Sequence, residues 1–586
     1  MSSDPRVAIV GVAFRGPDAP DYSTFIDNLL AGRESIHELT DEDLASAGVP
    51  HSIRSDPRYV ARRPLLADVW GFDQEFFGMG LREASIRNPQ HRLFLELCAT
   101  ALQDANCDPE KFDGVIGVYG GCPYDDYLER NLLKDAKTMR LVGEMGARLA
   151  NSRDYITSFV SYKLNLRGPS VSINTACSTG LVAVHMACQA LRAGDCDAAL
   201  VGAVQIEMPY ARGYRPTPGG IESMDGHCRP LDHEASGTVF GSGGGILLLK
   251  LLEDAINDGD HVYGVILGSA VNNDGSGKST FTSPNPRAQR DLIVEALAVS
   301  EIDPATLSYI ELHATATRVG DPVEIDALGR ALADSANSVL GPQSIAIGSA
   351  KANIGHLGSA AGIAGIIKLI GCLEENSLPP TINVSRPNPQ LNLEESVFRL
   401  PRSREGWAPH AEQPRRAAVS SFGFGGTNAH VVIEEAPERR PSAVETTSRL
   451  RPVLLVWSAA TAEQLREHAA KIASRIDNDL SVPLADISFS LATQRPHRAK
   501  RAFAVVTSRG EAVNALSGGL PATEASSGWL LEHERLAMIG RAWQGGDEVE
   551  WSGLHLPEDV TRARIPVSPW NRTPAYIAAQ HIDDTL

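Results

Sequence analysis

Cys177 is the residue of this sequence whose setting points most clearly to chemistry. A β-prone apolar run, 171–173, precedes it, and apolar residues at helical spacing follow it, namely Leu181, Val184, Cys188 and Leu191. A thiol where a strand becomes a helix faces the positive end of the helix dipole and unpaired backbone N–H groups. This setting favours the nucleophilic thiolate, although a buried structural cysteine is the alternative on this stretch alone. We expect Ser178 or Thr179 to cap the helix and Gly194 to end it.

Two histidines and a glycine-rich turn add to this thiol. His313 and His356 each follow a predicted strand and lie in a loop, and Lys351 precedes the second. Residues 420–428 form a Gly-rich turn with aromatic residues, whose backbone N–H groups can face a ligand. These are the parts of thioester chemistry: a thiolate attacks an acyl carbonyl, N–H groups hold the oxyanion, and imidazoles stabilise charge on a second carbonyl. Taken singly, each part has an ordinary structural explanation.

The elements that must position these residues alternate between strands and helices. Predicted strands include 7–10, 115–119, 198–201, 246–249, 262–270, 309–312 and 345–347. Predicted helices include 25–30, 90–102, 292–299 and a small-residue helix from 359 to 370. The alternation predicts a layered α/β fold with helices covering mostly parallel or mixed sheets. The turn at 11–16 departs from GxGxxG, so a dinucleotide site is not favoured.

A change in composition near residue 438 predicts a second structural unit. The first domain is predicted to span residues 1–437, and a charged, Pro-bearing linker to span 438–451. A strand at 453–456, a helix begun by a Thr461–Gln464 capping box and a strand at 502–507 indicate a smaller α/β domain over 452–520. The segment 521–586 becomes rich in Pro and Trp and is predicted to be irregular.

Length, charge and cysteine usage exclude several classes of protein. A chain of 586 residues exceeds a single domain. The net charge of −18 and the lack of a Lys/Arg block argue against nucleic acid as a partner. The cysteines follow neither a disulfide nor a zinc pattern, and His227, Cys228 and His233 do not change this, so no metal is predicted. Without a secretory signal or a spanning apolar stretch, we expect no membrane association and a cytoplasmic location.

Four stretches together resemble a known family. They are TACST at 175–179, HxTxTxxGDPxE at 313–324, KxNIGH at 351–356 and SFGFGGTNAH at 421–430. In order and separation they are similar to the β-ketoacyl synthase (ketosynthase) of modular polyketide synthases, over nearly all of residues 6–436. The resemblance implies a thiolase-like fold, in which two βαβαβαββ halves stack as five layers, and a homodimer. It implies that Cys177 takes an acyl chain from an acyl carrier protein. His313 and His356 would then assist decarboxylation of a malonyl-type extender, which attacks the thioester in a Claisen condensation.

The same resemblance assigns roles to the remaining motif residues. The backbone N–H groups of Cys177 and Phe424 would form the oxyanion hole, and Phe424 would gate the pocket. Lys351 and Glu324 would orient the site. Thr315 and Thr317 would contact the phosphopantetheine arm. That arm belongs to the partner carrier protein, so no bound cofactor is predicted.

The sequence departs from the family pattern at several positions. Where the family has the run HGTGT, this sequence has Ala314 and Ala316 in place of the two glycines. Asn88 stands where the family has an aspartate. If either glycine position needs a positive φ, alanine costs roughly 1 kcal/mol or more there. The two methyl groups also narrow the space for the pantetheine arm. Because both threonines remain, we expect altered arm binding or substrate choice rather than loss of the chemistry.

The end of the chain carries a second resemblance, and two other functions stay open. Residues 452–520 resemble the linker domain that joins a ketosynthase to an acyltransferase, and 551–576 resemble the segment that wraps back after it. No GHSxG elbow lies between them, which predicts an acyltransferase acting in trans. One alternative is a ketosynthase-like acyltransferase that forms an ester or amide without decarboxylation. Another is a non-catalytic heterodimer partner that sets chain length.

Overall fold

A computed structural model describes residues 5–409, 413–438, 452–480, 482–518, 530–551, 554, 560 and 562–578. Its strands are β1 Val7–Arg15, β2 His37–Glu38, β3 Arg62–Arg63, β4 Gly71–Phe72, β5 Ile116–Gly121, β6 Ser170–Ser172, β7 Ala198–Gln205, β8 Gly243–Leu251, β9 Gly264–Asn273, β10 Leu307–Glu311, β11 Ile345–Gly348, β12 Ser377–Leu378, β13 Phe398–Arg399, β14 Glu405–Gly406, β15 Arg416–Phe422, β16 Thr427–Glu434, β17 Val453–Ala459, β18 Lys500–Val506 and β19 Thr573–Pro574. Its α-helices are α1 Tyr22–Leu30, α2 Asp41–Ser46, α3 His51–Arg54, α4 Leu81–Ile86, α5 Pro89–Asp104, α6 Ala136–Asn151, α7 Ile156–Leu164, α8 Thr179–Ala193, α9 Leu252–Asn257, α10 Pro286–Ser300, α11 Gly320–Ser335, α12 Lys351–Ile354, α13 Ala361–Glu374, α14 Ala462–Asn478, α15 Leu484–Thr493, α16 Arg509–Leu516 and α17 Leu530–Gly545.

The larger structural unit, which precedes the linker predicted at 438–451, is built on one mixed sheet. Its eleven strands lie in the order β13-β11-β10-β15-β16-β9-β1-β8-β7-β5-β6. The two halves of the sheet meet where β1 and β9 pair over only three residues, from Val7 to Ile9. In each half, parallel strands lie on the outer side and antiparallel strands near this junction. The predicted α/β alternation is therefore present as a two-part mixed sheet.

Two helices at the centre of the core bring the chemical motifs together. Helix α8, which follows Cys177, packs against α13, which follows the His356 loop, and both contribute to the main core. The contact requires glycines. A Cβ added to Gly362 would lie 2.5 Å from the Leu181 side chain, and one added to Gly180 would lie 3.2 Å from Ile363. Close approach of these helices places the starts of both motif loops side by side.

A buried ion pair links the strand before His313 to the loop before Lys351. Glu311 Oε1 accepts the N–H of Ala350 at 2.6 Å, and its Oε2 accepts Lys368 Nζ at 2.7 Å and the Tyr309 hydroxyl at 3.0 Å. These groups are all buried, and both oxygens of the Glu311 carboxylate accept hydrogen bonds. The network holds β10, the Ala350 turn and α13 in one register.

The smaller unit differs from its prediction near the end of the chain. Strands β17 and β18 pair antiparallel and carry α14 to α17, and Thr461 and Gln464 form the predicted capping box. The prediction that 521–586 is irregular is wrong for α17, which spans Leu530–Gly545. Leu536 and Trp543 of that helix are buried in the same core as β17 and β18. Tertiary packing therefore selects a helix that local periodicity did not indicate.

The segment after residue 561 runs along the larger unit. Arg564 Nε lies 3.2 Å from Asp104 Oδ1, and its guanidinium lies over the Tyr263 ring. Further along, Ile577 donates its N–H to the Tyr127 hydroxyl at 3.0 Å. Contacts of this kind attach the end of the described chain to α5 and to the loop that follows β5.

Asn88, a departure from the family pattern, has a local explanation. Its side chain caps α5 by accepting the N–H of Gln90 at 2.8 Å, and its amide donates to Asp125 at 3.0 Å. Burial raises the pKa of Asp125 to about 6. An aspartate at position 88 would face this carboxylate without a proton to donate at neutral pH, so asparagine suits this site.

Candidate active site

Cys177 lies in a strained elbow between β6 and α8. Ala176 has a φ of +57°, in the left-handed region. The Thr179 hydroxyl accepts the N–H of Thr175 at 2.9 Å and donates to the Ala176 carbonyl at 2.7 Å. Ser178 donates to the Thr175 carbonyl at 2.8 Å. Ser178 occupies the N-cap position of α8, as predicted, but it makes no side-chain capping hydrogen bond, because the hydroxyls of Ser178 and Thr179 fold the elbow itself.

The other end of α8 agrees with its prediction. Gly194 ends the helix with a φ of +76°, and its N–H donates to the carbonyls of Ala190 and Leu191. This left-handed C-terminal residue is a conformation that glycine adopts without a steric penalty. The length of α8 is thus readable from the sequence, whereas its first turn is not.

His356 contacts the thiol directly. Its Nε2 lies 3.2 Å from Cys177 Sγ, and its Nδ1 accepts the N–H of Gly358 at 3.2 Å. Because a backbone N–H only donates, the neutral imidazole must carry its proton on Nε2. His356 therefore presents a hydrogen-bond donor to the sulfur and to any oxygen that replaces it there.

His313 stands beside His356 on a loop held by a buried carboxylate. The two imidazole centroids are 5.6 Å apart at 83°. Glu324 accepts the backbone N–H groups of His313 and Ala314, both at 2.7 Å. Within the part of the chain that the structure describes, the buried Nδ1 of His313 has no hydrogen-bond partner. A buried ring nitrogen without a partner is available to a ligand.

Electrostatics keep both imidazoles neutral. Burial is the largest cause that lowers the pKa of His313 and of His356 well below the ordinary value, and Lys351 lowers both further. Burial also lowers the pKa of Lys351, whereas the negative charges of Glu311 and Glu324 raise it. For Glu324, burial raises the pKa to about 7. The site thus combines a buried lysine with two uncharged donors, a setting that suits a developing negative charge.

The thiol itself is not acidic in the resting protein. Desolvation raises the pKa of Cys177, and Lys351 and the backbone N–H groups of Phe424 and Cys177 only partly oppose it. The prediction that this position favours the thiolate is therefore wrong at rest, because removal from water outweighs the start of the helix. The two N–H groups that lower the pKa are those for which an oxyanion-hole role was predicted.

The rate of alkylation of Cys177 is expected to increase with pH. It should continue to increase above about pH 8.5, where an ordinary thiol titrates. The reason is that the raised pKa delays formation of the thiolate. Lys351→Met removes a positive charge that favours the thiolate, so it should move the profile to still higher pH. Intact mass spectrometry after timed iodoacetamide treatment measures this, and Cys177→Ala identifies the reacting residue. A Lys351→Met profile at lower pH than that of wild type would contradict the electrostatic account.

The glycine-rich turn packs against the cysteine elbow. Ser421 donates its hydroxyl to the Cys177 carbonyl at 2.8 Å, and the Gly423 N–H donates to Thr427 at 2.8 Å. Gly425 and Gly426 have φ values of +118° and +98°. Phe424, which precedes these glycines in the chain, is 51% exposed. Its backbone N–H acts on the Cys177 sulfur, and its exposed ring has room to move, as the predicted gating role requires.

Of the two alanines in the run His313-Ala314-Thr315-Ala316-Thr317, only Ala316 has an unusual backbone conformation. Ala316 has a φ of +60°, while Ala314 lies outside the left-handed region. Ala316 is buried with Ile36, Cys228, Ala235 and Val239. Thr315 is half-buried, and Thr317 accepts the N–H of Gly320 at 3.1 Å before α11. The methyl group of Ala316 therefore faces a small apolar cluster.

Ala316→Gly is expected to change the free energy of unfolding by less than about 1 kcal/mol. Relief of left-handed strain, about 1 kcal/mol, offsets the loss of a buried methyl group, about 0.8 kcal/mol. The matched change Ala314→Gly relieves no strain, so it should cost about 1.5 kcal/mol. Urea denaturation of the two variants compares them. Equal losses would show that the strain at Ala316 is negligible.

Two aromatic residues beside the histidines were given no role from the sequence, although Phe422 lies in the SFGFGGTNAH motif. Phe240 stacks on His356 with centroids 5.2 Å apart at 21°, and Phe422 meets His313 at 5.6 Å and 66°. Phe240 lies in a stretch without a chemical motif, so no local signal marks it.

Among the described residues no group of His, Cys, Asp or Glu forms a metal cluster. His227 instead pairs with Glu34 at 2.9 Å.

Comparison with known proteins agrees with this geometry. The family model "Beta-ketoacyl synthase, N-terminal domain" matches residues 4–255, the corresponding C-terminal domain matches 263–385, and "Ketoacyl-synthetase C-terminal extension" matches 387–505. Ketosynthase twelve from the bacillaene polyketide synthase of Bacillus amyloliquefaciens is 31% identical, with a TM-score of 0.86 over 98% of this chain and 100% of that chain. This chain belongs to the ketosynthases of polyketide synthases. The predicted family and thiolase-like α/β fold are thus confirmed.

Other relatives extend the comparison. An oxazolomycin ketosynthase domain of Streptomyces albus is 33% identical, with a TM-score of 0.83 over 98% of this ketosynthase and 99% of that chain. Mycobacterium tuberculosis has a phenolphthiocerol/phthiocerol polyketide synthase that is 45% identical over 516 residues, which are 87% of this chain and 34% of the relative. The chain thus spans about a third of the length of that curated relative. No helix among the described residues has the length and apolar character to cross a membrane.

Proposed function

We propose that this ketosynthase joins an acyl chain on Cys177 to a malonyl-type extender by decarboxylative Claisen condensation. The observation that carries the proposal is the contact of 3.2 Å between His356 Nε2 and Cys177 Sγ, with the His313 ring 5.6 Å from the His356 ring. One thiol and two neutral imidazoles in one pocket suit two carbonyls that must be polarised in turn.

The first half-reaction loads the thiol. The Cys177 thiol loses its proton to solvent, and the thiolate attacks the thioester carbonyl of the incoming acyl group, so a new C–S bond forms and the carbonyl electron pair moves onto the oxygen. The N–H groups of Cys177 and Phe424, which act on the same sulfur, would hold the oxyanion. The oxyanion then collapses, the C–S bond to the carrier breaks, and the carrier thiolate leaves and takes up a proton from solvent. Lys351 favours the transient Cys177 thiolate through its charge.

The second half-reaction makes the carbon–carbon bond. The bond from the extender's α-carbon to its carboxylate breaks, carbon dioxide leaves, and the electron pair forms an enolate. Hydrogen bonds from the His356 Nε2–H and from His313 would stabilise the enolate oxygen. The α-carbon then attacks the acyl carbonyl on Cys177, and the thiolate leaves and regains a proton. Glu324 supports this step by holding the His313 loop.

The partners follow from the same chemistry. The acyl chain and the extender are both proposed to arrive on the phosphopantetheine arm of an acyl carrier protein, which Thr315 and Thr317 would contact. The half-buried Thr315 lies two residues after His313, and Thr317 shapes the start of α11. An acyltransferase acting in trans would load the extender. The protein would work in the cytoplasm and hold no cofactor of its own.

A homodimer is supported by an exposed sheet edge and its neighbours. In the described sheet β6 is the last strand, and α7 lies beside it, as the contact of 3.1 Å between Ser161 and Ser170 shows. Met145 of α6 is 75% exposed and Tyr162 of α7 is 76% exposed. An unpaired edge with exposed apolar side chains is suited to a second copy of the chain.

The proposal is tested with malonyl carrier protein labelled at its free carboxylate. After loading Cys177 from an acyl carrier protein, we expect release of labelled carbon dioxide and a product extended by two carbons. Intact mass spectrometry follows the acyl group on Cys177, and Cys177→Ala is the control. Transfer of the acyl group to an alcohol or amine without release of the label would instead support the ester- or amide-forming alternative. A Cys177 that is never acylated would favour the non-catalytic alternative.

A further inference from the structure

His356 is held from two sides, by the Gly358 turn and by the Phe240 ring. On one side, the Gly358 N–H donates to Nδ1 at 3.2 Å. On the other, the Phe240 ring stacks on the imidazole with centroids 5.2 Å apart. The first contact places the ring proton on Nε2, and the second limits rotation of the ring. The residues behind Gly358 and Phe240 therefore decide where Nε2 points.

The turn at Gly358 rests on the side chain of Gln205, at the end of β7. Gln205 Oε1 accepts the N–H of Ser359 at 3.0 Å. Gly358 has a φ of +46°, and a Cβ added to it would lie 1.5 Å from the same oxygen. The turn is thus in direct contact with the amide, and a shift of the amide would move the N–H that meets His356.

Glu207 decides which way the Gln205 amide faces. Gln205 Nε2 donates to Glu207 Oε1. An ionised carboxylate only accepts hydrogen bonds, so the amide nitrogen must point to Glu207 and the amide oxygen to Ser359. The reversed amide would set oxygen against carboxylate and NH₂ against the backbone N–H. Glu207 therefore makes one of two otherwise similar orientations much more stable.

Arg63 connects Glu207 with the other side of His356. Its Nη1 lies 3.8 Å from Glu207 Oε2 and donates to the Phe240 carbonyl at 3.0 Å. The guanidinium also lies over the Tyr214 ring, 5.1 Å from its centroid. Burial raises the pKa of Glu207, and the positive charge of Arg63 acts in the opposite direction by lowering it. Removal of the carboxylate would leave this part-buried cation without its acidic partner, and Phe240 would lose a fixed neighbour.

We propose that Glu207 is a positioning residue for His356, acting through Gln205 on the Gly358 turn and through Arg63 on Phe240. The inference rests on the proposed role of His356 as a donor to the sulfur and to the enolate oxygen. Both chains of contacts begin at one carboxylate and end on one imidazole. Loss of Glu207 should therefore weaken the donor at Cys177 without removing any group that touches the substrate.

Alkylation of Cys177 and condensation together test this role in the full chain. Glu207→Leu removes both contacts, Glu207→Gln keeps an acceptor for Gln205 but loses the charge, and Glu295→Leu on α10 is the control at an exposed carboxylate. We expect the midpoint of iodoacetamide alkylation in Glu207→Leu to move up by about half a pH unit or more. Condensation should fall roughly tenfold or more, as for a slightly misplaced group. Glu207→Gln should lie between, and Glu295→Leu should match wild type.

A folded Glu207→Leu protein with the alkylation profile and condensation rate of wild type would overturn the proposal. If Glu207→Leu does not fold, Glu207→Gln decides: a shifted profile supports the role and an unshifted one overturns it. Circular dichroism and the urea midpoint establish folding. The alkylation comparison uses no carrier protein. A wild-type protein that alkylates normally but condenses no extender would therefore contradict the proposed function alone.

Discussion

His313→Ala is expected to abolish condensation while Cys177 still accepts an acyl group. The sulfur is contacted by His356 at 3.2 Å, and the oxyanion donors of the loading step are backbone N–H groups, so loading does not require His313. The proposed stabilisation of the enolate does involve His313, whose buried Nδ1 has no hydrogen-bond partner among the described residues. Loss of a donor to a developing oxyanion costs roughly a hundredfold to a thousandfold in rate.

Two readouts separate the half-reactions of this variant. Intact mass spectrometry should show the acyl adduct on His313→Ala at the level of wild type, and labelled extender should yield almost no product. Cys177→Ala should lose both the adduct and the product, which makes it the matched control. Condensation by His313→Ala at the rate of wild type would remove His313 from the proposed mechanism.

Lys368→Met is expected to lower the free energy of unfolding by about 3–5 kcal/mol. Lys368 Nζ and Glu311 Oε2 are 2.7 Å apart, and both side chains are only 3% exposed. Removal of the lysine leaves a buried carboxylate without the cation that contacts it. Tyr309 and the Ala350 N–H remain as donors but do not neutralise it. Because Ala350 precedes Lys351, the variant should also disturb the position of Lys351.

Urea denaturation measures this loss, with Arg330→Met as the control. Arg330 and Asp326 form an ion pair of 3.0 Å on α11, but their side chains are 69% and 52% exposed. Exposed pairs contribute roughly 0.2–1 kcal/mol, so the control should change little. In addition, the double change Glu311→Leu with Lys368→Met should cost less than Lys368→Met and Glu311→Leu added together. A loss for Lys368→Met no larger than that of Arg330→Met would contradict the buried-pair account.

Local signals explain what the sequence predicted well. The apolar spacing after Cys177 and the glycine at 194 define α8, because helix periodicity and a left-handed end are properties of neighbouring residues. Strand and helix alternation predicted the layered α/β class for the same reason. The four motifs, read together, identified the ketosynthase family. The departure at Ala316 was also visible, although its backbone angle was not.

Tertiary packing and backbone strain explain what the sequence did not predict. Helix α17 depends on Leu536 and Trp543 packing in a core with β17 and β18. The start of α8 lacks a side-chain cap because its hydroxyls fold the elbow at Cys177. Both outcomes are set by neighbours or strain that propensity and spacing do not encode.

The sequence by itself predicted which residues carry the chemistry: a cysteine at a strand–helix junction, two loop histidines, a lysine and a glycine-rich turn. Only the tertiary structure decided how they are charged and aimed. His356 reaches Cys177 across 179 residues of sequence, and its tautomer depends on Gly358. Burial makes the thiol less acidic and the imidazoles neutral. Desolvation and hydrogen-bond direction belong to the packed surroundings of a group, which is why no local motif could specify them.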